Sequence, residues 1–200
     1  MLKKKKPKYS STVILSVFLA CMVLVVAGVV FIALAANRLP DAGEAIAAEV
    51  LIDIDAVFAM VASIDLEFEY PETPQAVMEL FNNTFRLLYS RYVYELDALA
   101  HILNIQRGLY SSALIEMNAF EGQLGSLLFS REEQEELGLE IIGIYQSEPV
   151  PDRFDPGKVV ISTIKFANNG QSFHYDFHIF RHPQTDRWEI GLWNNTMNRI

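Results

Sequence analysis

The segment His174-Tyr175-Asp176-Phe177-His178 holds the residues whose types and spacing could do chemistry in this chain. In an extended strand alternate side chains point to the same face, so His174, Asp176 and His178 share a face at a spacing of about 6.5 Å. A His-x-His pair with that geometry can chelate a metal ion. The opposite face is apolar and is expected to cover a core, which leaves the histidines outside. We therefore predict a solvated or partner-facing surface made of His174, Asp176, His178 and Phe180, with no metal and no cofactor.

Other catalytic patterns are missing from the sequence. It contains no Gly-rich phosphate loop, no serine-nucleophile elbow and no zinc-protease helix. Acid–base chemistry would need carboxylates among the inward-facing strand positions, and those positions look apolar. Cys21, the only cysteine, cannot form an internal disulfide or a thiolate zinc site. We predict no catalytic residue.

Charge is distributed unevenly along the chain of 200 residues. Five of the 16 basic residues are lysines among the first eight positions, and the remainder carries 11 basic against 25 acidic side chains. A surface of that sign repels a phosphate backbone, so binding of nucleic acid is not expected.

A long apolar segment follows the lysines, and no residue between Lys8 and Arg38 is charged. At about 1.5 Å per helical residue it spans a hydrocarbon core of about 30 Å. We predict a basic cytoplasmic tail over residues 1–11 and a transmembrane helix over residues 12–36, with the lysines inside and the rest of the chain outside the cell membrane. Two less favoured alternatives stay open, a signal peptide cleaved after Ala33-Leu34-Ala35 and a lipoprotein lipidated at Cys21.

Helical periodicity dominates the sequence as far as Gly138. An acidic stalk is predicted over residues 37–64, with a helix over 43–62. Thr73-Pro74 is typical of a helix start, and the helix after it has a clear apolar stripe. A second helix should end near Gly108, and a short element precedes a last helix that is predicted to restart at the capping-box pattern of Ser130 and to stop at Gly138.

Strand patterns follow Gly138. Four candidate strands cover residues 139–148, 158–167, 172–180 and 187–193, separated by turn-forming Pro, Asn, Gly and Asp residues. Short loops between consecutive strands imply an antiparallel meander. Residues 65–200 are therefore predicted to form an α+β domain outside the membrane, with helices on one face of the sheet.

Several motifs carry a resemblance to a known family. They are Tyr70-Pro71-x-Thr73-Pro74, Leu88-Tyr89, Arg107-x-Leu109-Tyr110 and Asp186-Arg187-Trp188-x-Ile190-Gly191-x-Trp193. The chain resembles a family of membrane-anchored bacterial proteins known as a domain of unknown function, whose outer domain is similar to the cone fold of the nuclear transport factor two superfamily. The resemblance covers about residues 65–195 and implies a fold and an envelope location, not a reaction.

Two function classes follow. The first is a non-catalytic envelope protein, anchored in the lipid bilayer, whose outer domain binds another envelope protein, a small ligand or a second copy of itself. The alternative is an enzyme or small-ligand carrier that uses an apolar cavity between helices and sheet. Convergent polar groups with perturbed pKa values in such a cavity would favour the alternative.

Overall fold

The computed structural model describes residues 53–196, which fold as an α+β domain. This part of the chain forms five helices, α1 (Ile54–Ala62), α2 (Pro74–Tyr89), α3 (Leu96–Arg107), α4 (Ser112–Met117) and α5 (Phe120–Glu136). The strands follow as β1 (Ile141–Gln146), β2 (Val150–Pro151), β3 (Lys158–Ala167), β4 (Ser172–Arg181) and β5 (Trp188–Asn195). The predicted α+β class is confirmed.

Local capping chemistry sets where the first helices begin. The Thr73 hydroxyl accepts a hydrogen bond from the Ala76 amide, and Pro74 occupies the first helical position, where a missing N–H costs nothing. Asp53 is extended and its carboxylate accepts from the amides of Asp55 and Ala56. This cap starts α1 at Ile54, so the prediction of one helix running through 43–62 is wrong at Asp53.

Helix α5 ends in a Schellman motif. The Gly138 amide donates to the Glu135 carbonyl and the Leu139 amide donates to the Gln134 carbonyl, at 3.1 and 2.8 Å. Gly138 takes a φ of 61°, which favours glycine. The stop at Gly138 is confirmed, whereas the predicted restart at Ser130 is wrong because α5 is continuous across it.

The strands form one antiparallel sheet in the order β1-β3-β4-β5, with β2 added beside β3. This order is that of the predicted meander, and only the short strand β2 was not predicted. The turn between β3 and β4 contains Gly170 at a φ of 83°, and the turn between β4 and β5 contains Asp186 at a φ of 62°.

The core lies between the helices and one face of the sheet. Fully buried side chains of the helices, such as Val77 and Leu87, belong to the same cluster as Phe177 and Ile179 of β4. Val61 of α1 is also fully buried in this cluster. The prediction that the apolar alternates of β4 face the helices is confirmed for Phe177 and Ile179.

Two of the sequence motifs meet in space. The Tyr70 hydroxyl donates to the backbone carbonyl of Trp188 at 2.7 Å, and the Arg187 guanidinium lies 4.6 Å from the centre of the Tyr70 ring. The entry to α2 is thereby joined to the start of β5.

The predicted basic tail, the predicted transmembrane helix over 12–36 and the first part of the predicted stalk lie outside the described residues. Between residues 53 and 196, no helix combines the length and the apolar character needed to cross a membrane.

Candidate functional site

A cavity of about 540 Å³ lies between the helices and the inner face of the sheet. Helix α2 contributes the aromatic residues Phe81, Phe85 and Tyr89, and the strands contribute Tyr175 and Trp193. The wall opposite is formed by one side of α5. Gly122 and Ser126 of that helix are exposed, so the cavity is open to solvent along it.

Lys165 is the unexpected residue in this cavity. It lies on β3 between Ile144 of β1 and Phe173 of β4, and its side chain faces inward with 6% of its surface exposed. Alternation along β3 places it on the same face as Ile161, which is fully buried in the core. The expectation that the inward positions are apolar is wrong at this position.

Aromatic rings surround the ammonium group. The Lys165 Nζ lies 3.1 Å from the centre of the Phe85 ring, 4.9 Å from that of Tyr175 and 5.9 Å from that of Phe81. It forms no ion pair with any residue between 53 and 196. Burial lowers the pKa of Lys165 to about 7, because rings compensate only part of the lost hydration of an ammonium ion.

A buried hydrogen-bond chain includes two residues of the cavity lining, Gln106 and Tyr110. The Tyr110 hydroxyl donates to Gln106 Oε1 at 3.2 Å, and Gln106 Nε2 donates to the Thr84 hydroxyl at 3.1 Å. Burial raises the pKa of Tyr110 well above its usual value, and it also raises the pKa of Tyr89 and of Tyr175. These phenols therefore stay protonated and neutral at physiological pH.

Small residues of α5 make room for the cavity. Gly122, Ser126 and Ser130 are spaced four residues apart, so they lie on one side of the helix, and all three line the cavity. A Cβ added at Gly122 would have no atom within 4 Å. Larger side chains at these positions would fill the space that a ligand could take.

Two arginines hold α5 over the cavity. At its start, Arg107 donates to the Asn118 carbonyl at 2.6 Å and to the Gln123 side chain. Further along, Arg131 donates to the backbone carbonyls of Leu88, Ser90 and Val93, the last two at 2.9 and 2.7 Å. The hydrogen bond to Leu88 satisfies a carbonyl in the last turn of α2, where carbonyls have no partner within their own helix.

A family model described as "Domain of unknown function (DUF6715)" matches residues 1–193. The chain belongs to this family. Searches among curated proteins and among solved structures gave no match. The expected membership of a family of unknown function is thus confirmed.

The predicted surface of this DUF6715 member lies on the face of β4 away from the helices. His174 lies 3.1 Å from the Ser172 hydroxyl, Asp176 accepts from the Ser162 hydroxyl at 2.7 Å, and His178 lies 3.3 Å from Asn194. The Phe180 ring packs over Gly191, where an added Cβ would come within 1.9 Å of it. Each of the four side chains therefore contacts a different neighbour.

A metal ion at this surface would be held by several side chains placed close together. Between residues 53 and 196, no group of three or more His, Cys, Asp and Glu side chains is placed to hold a metal ion. Whether the surface of His174, Asp176, His178 and Phe180 contacts a partner or a second copy stays a prediction.

Sequence reasoning missed Lys165 because both faces of β3 are apolar. Val159 and Ile161 on one face and Ile164 and Phe166 on the other are all buried, so alternation alone does not show which face is inward. A usable signal was the register with β4, which places Lys165 directly opposite Phe173 on the face already assigned to the core. In the DUF6715 chain this residue, and not the histidine face, lines the cavity.

Proposed function

We propose that the outer domain binds a small molecule in the cavity between α2, α5 and the sheet. The observation that carries this proposal is the buried Lys165, which lines an open cavity of about 540 Å³ without an ion-pair partner among residues 53–196. A buried ammonium without a counterion costs stability, and such groups cluster at functional sites. Aromatic walls with a few convergent polar groups are typical of small-ligand pockets.

We also propose that the protein is anchored in the cell membrane by its N-terminal segment. Residues 12–36 are the transmembrane helix, the lysine tail is cytoplasmic, and the ligand-binding domain lies outside. The uncharged segment between Lys8 and Arg38 supports this, as does the family match across residues 1–193, which includes tail, segment and domain. Helices packed on one face of an antiparallel meander around an open cavity support the resemblance to the cone fold of the nuclear transport factor two superfamily.

Filling the cavity tests the proposed function. The full-length protein is purified in a non-ionic detergent and titrated with three water-soluble probes that share a 4-phenylbutyl body, namely 4-phenylbutyrate, 4-phenyl-1-butanol and 4-phenylbutylamine. We expect isothermal titration calorimetry to detect binding of at least one probe. Gly122→Leu should abolish that binding because the new side chain occupies the cavity.

Gly125→Leu is the matched control. Gly125 lies on the same helix, does not line the cavity, and would also accept a Cβ with no atom within 4 Å. Both substitutions raise helix propensity by a similar amount, about 0.5–1 kcal/mol. Gly125→Leu should therefore bind like the unmodified protein. Absence of binding for all three probes, or unchanged binding by Gly122→Leu, would contradict the proposed function.

A further inference from the structure

We propose that the ligand carries an anionic group of the carboxylate class, which pairs with Lys165 while an aromatic or alkyl body fills the rest of the cavity. This inference rests on the proposed function and names the class of molecule that the cavity selects.

The first support is the charge of the cavity wall. Of the described residues that line the cavity, Lys165 is the only one that can carry a charge near neutral pH, and none is Asp or Glu. A single cation enclosed by neutral groups favours an anion over a neutral or cationic molecule.

The second support is the surroundings of the ammonium. Its contacts are the ring faces of Phe85, Tyr175 and Phe81, which stabilise a cation less than a carboxylate does. Buried charges in proteins are paired, so the missing partner is expected to come from the ligand.

The third support is the remaining lining. Ser126 and Ser130 present hydroxyl groups from α5 that form no hydrogen bond with other residues in the range 53–196. Phe177 and Trp193, with ring centres 6.0 Å apart, form an aromatic wall. A molecule with one acidic end and an apolar body matches both features.

Protonation makes the preference depend on pH. The pKa of Lys165 is about 7 in the empty cavity, and a bound carboxylate stabilises the ammonium form and raises it. The other titratable groups in the lining are Tyr89 from α2, Tyr110 from the segment after α3 and Tyr175 from β4, and burial keeps all three neutral in this range. Helix α5 contributes only neutral groups to the lining. Affinity for a carboxylate should thus fall as the pH rises through 7.

The experiment compares the three probes with the full-length protein at pH 6 and pH 8.5, since 4-phenylbutyrate is ionised at both. We expect 4-phenylbutyrate to bind at least about tenfold more tightly than 4-phenyl-1-butanol at pH 6, as one charge-assisted hydrogen bond would give. The amine should bind weakest. The advantage of the acid should shrink at pH 8.5.

Lys165→Met should bind the acid and the alcohol equally. Lys158→Met is the control, because Lys158 is the one other lysine in the described range and it pairs with Asp155 on the surface. Equal affinity of the unmodified protein for acid and alcohol, or an acid preference that Lys165→Met retains, would overturn the inference and leave the cavity function standing. Absence of all binding would overturn both.

A labelling experiment covers the case in which Lys165→Met fails to fold. Acetic anhydride modifies uncharged amines, and peptide mapping separates Lys165 from Lys158. With each probe at a concentration that fills the cavity equally, we expect 4-phenylbutyrate to protect Lys165 at least about fivefold more than 4-phenyl-1-butanol while Lys158 reacts unchanged. The reason is that only the carboxylate holds the amine in its unreactive ammonium form. Equal protection by both probes would overturn the inference.

Discussion

The buried Lys165 loses hydration and gains no carboxylate partner among residues 53–196 in return. Its ammonium is surrounded by ring faces, and it has no carboxylate partner among residues 53–196. An apolar residue of similar length would suit the same space with no desolvation cost. The empty domain is therefore less stable than it could be, a pattern expected where stability is traded for binding.

Lys165→Met should stabilise the empty protein by about 1–4 kcal/mol at pH 7, because it removes a buried group that must be desolvated. The folded pKa of about 7 lies below the unfolded value, so between pH 7 and about 10 the unfolded chain binds more protons. The free energy of unfolding therefore rises with pH over that window, by up to about 1.4 kcal/mol per pH unit. Urea unfolding of the full-length protein at pH 7, 8 and 9 measures both effects.

The slope of the free energy of unfolding against pH tests whether Lys165 causes the rise. Lys165→Met should flatten the rise between pH 7 and 9, whereas Lys158→Met should keep it, because Lys158 is exposed. The buried tyrosines affect the free energy of unfolding only above about pH 10, outside this range. Equal slopes for the unmodified protein and Lys165→Met would show that Lys165 keeps its ordinary pKa.

At the scale of elements, α5 differs from the other long helices. It buries one residue, Leu127, whereas α2 buries eight. The helix is held instead by polar contacts from Arg107 and Arg131 to backbone carbonyls. A helix that is not fixed by a broad apolar stripe can leave a cavity beneath it.

Arg131→Gln should loosen the second half of α5. The substitution leaves the carbonyls of Leu88, Ser90 and Val93 without their charged donor, at a cost of about 1–2 kcal/mol after allowance for partial exposure. Hydrogen exchange should accelerate in the amides of α5 while those of β3 and β4 stay protected.

Arg153→Gln serves as the control, since Arg153 is exposed in the loop between β2 and β3. It should leave the exchange of α5 unchanged. Uniform acceleration in all elements of the Arg131→Gln protein would mean that Arg131 supports the whole fold and not one helix.

Element boundaries were predictable where a local rule decides them. Thr73-Pro74 and Gly138 set helix ends through capping and a positive φ, and both positions agree with the structure. The predicted restart at Ser130 was wrong because its capping-box pattern also suits a helix interior. The next residue, Arg131, makes long-range contacts that sequence spacing does not show.

The cavity was less predictable than the elements that surround it. Its contents depend on which face of β3 is inward, and both faces are apolar. Its volume depends on small residues of α5, such as Gly122, which in a sequence resemble ordinary helix positions. Strand pairing and helix placement belong to the tertiary structure. The inward position of Lys165 is therefore evident in the fold and not in the local sequence pattern.

At the scale of the whole molecule, the two ends of the chain differ in charge. The tail is basic, whereas the part after Lys8 has 25 acidic side chains and 11 basic ones. Under the positive-inside rule, basic residues beside the predicted span favour a cytoplasmic tail, whereas acidic residues contribute little to the orientation. A cavity that selects anions outside the membrane would then meet small acids before they reach the lipid.

The orientation can be tested with single cysteines, because Cys21 is the only native one. In a Cys21→Ser background, one protein carries Ser10→Cys in the tail and another carries Phe154→Cys, at a side chain that is 94% exposed on the domain. In intact cells whose wall or outer membrane has been made permeable, a membrane-impermeant maleimide should label Phe154→Cys and spare Ser10→Cys. After lysis both should react. Labelling of Ser10→Cys in intact cells, with Phe154→Cys protected, would reverse the orientation and place the cavity in the cytoplasm.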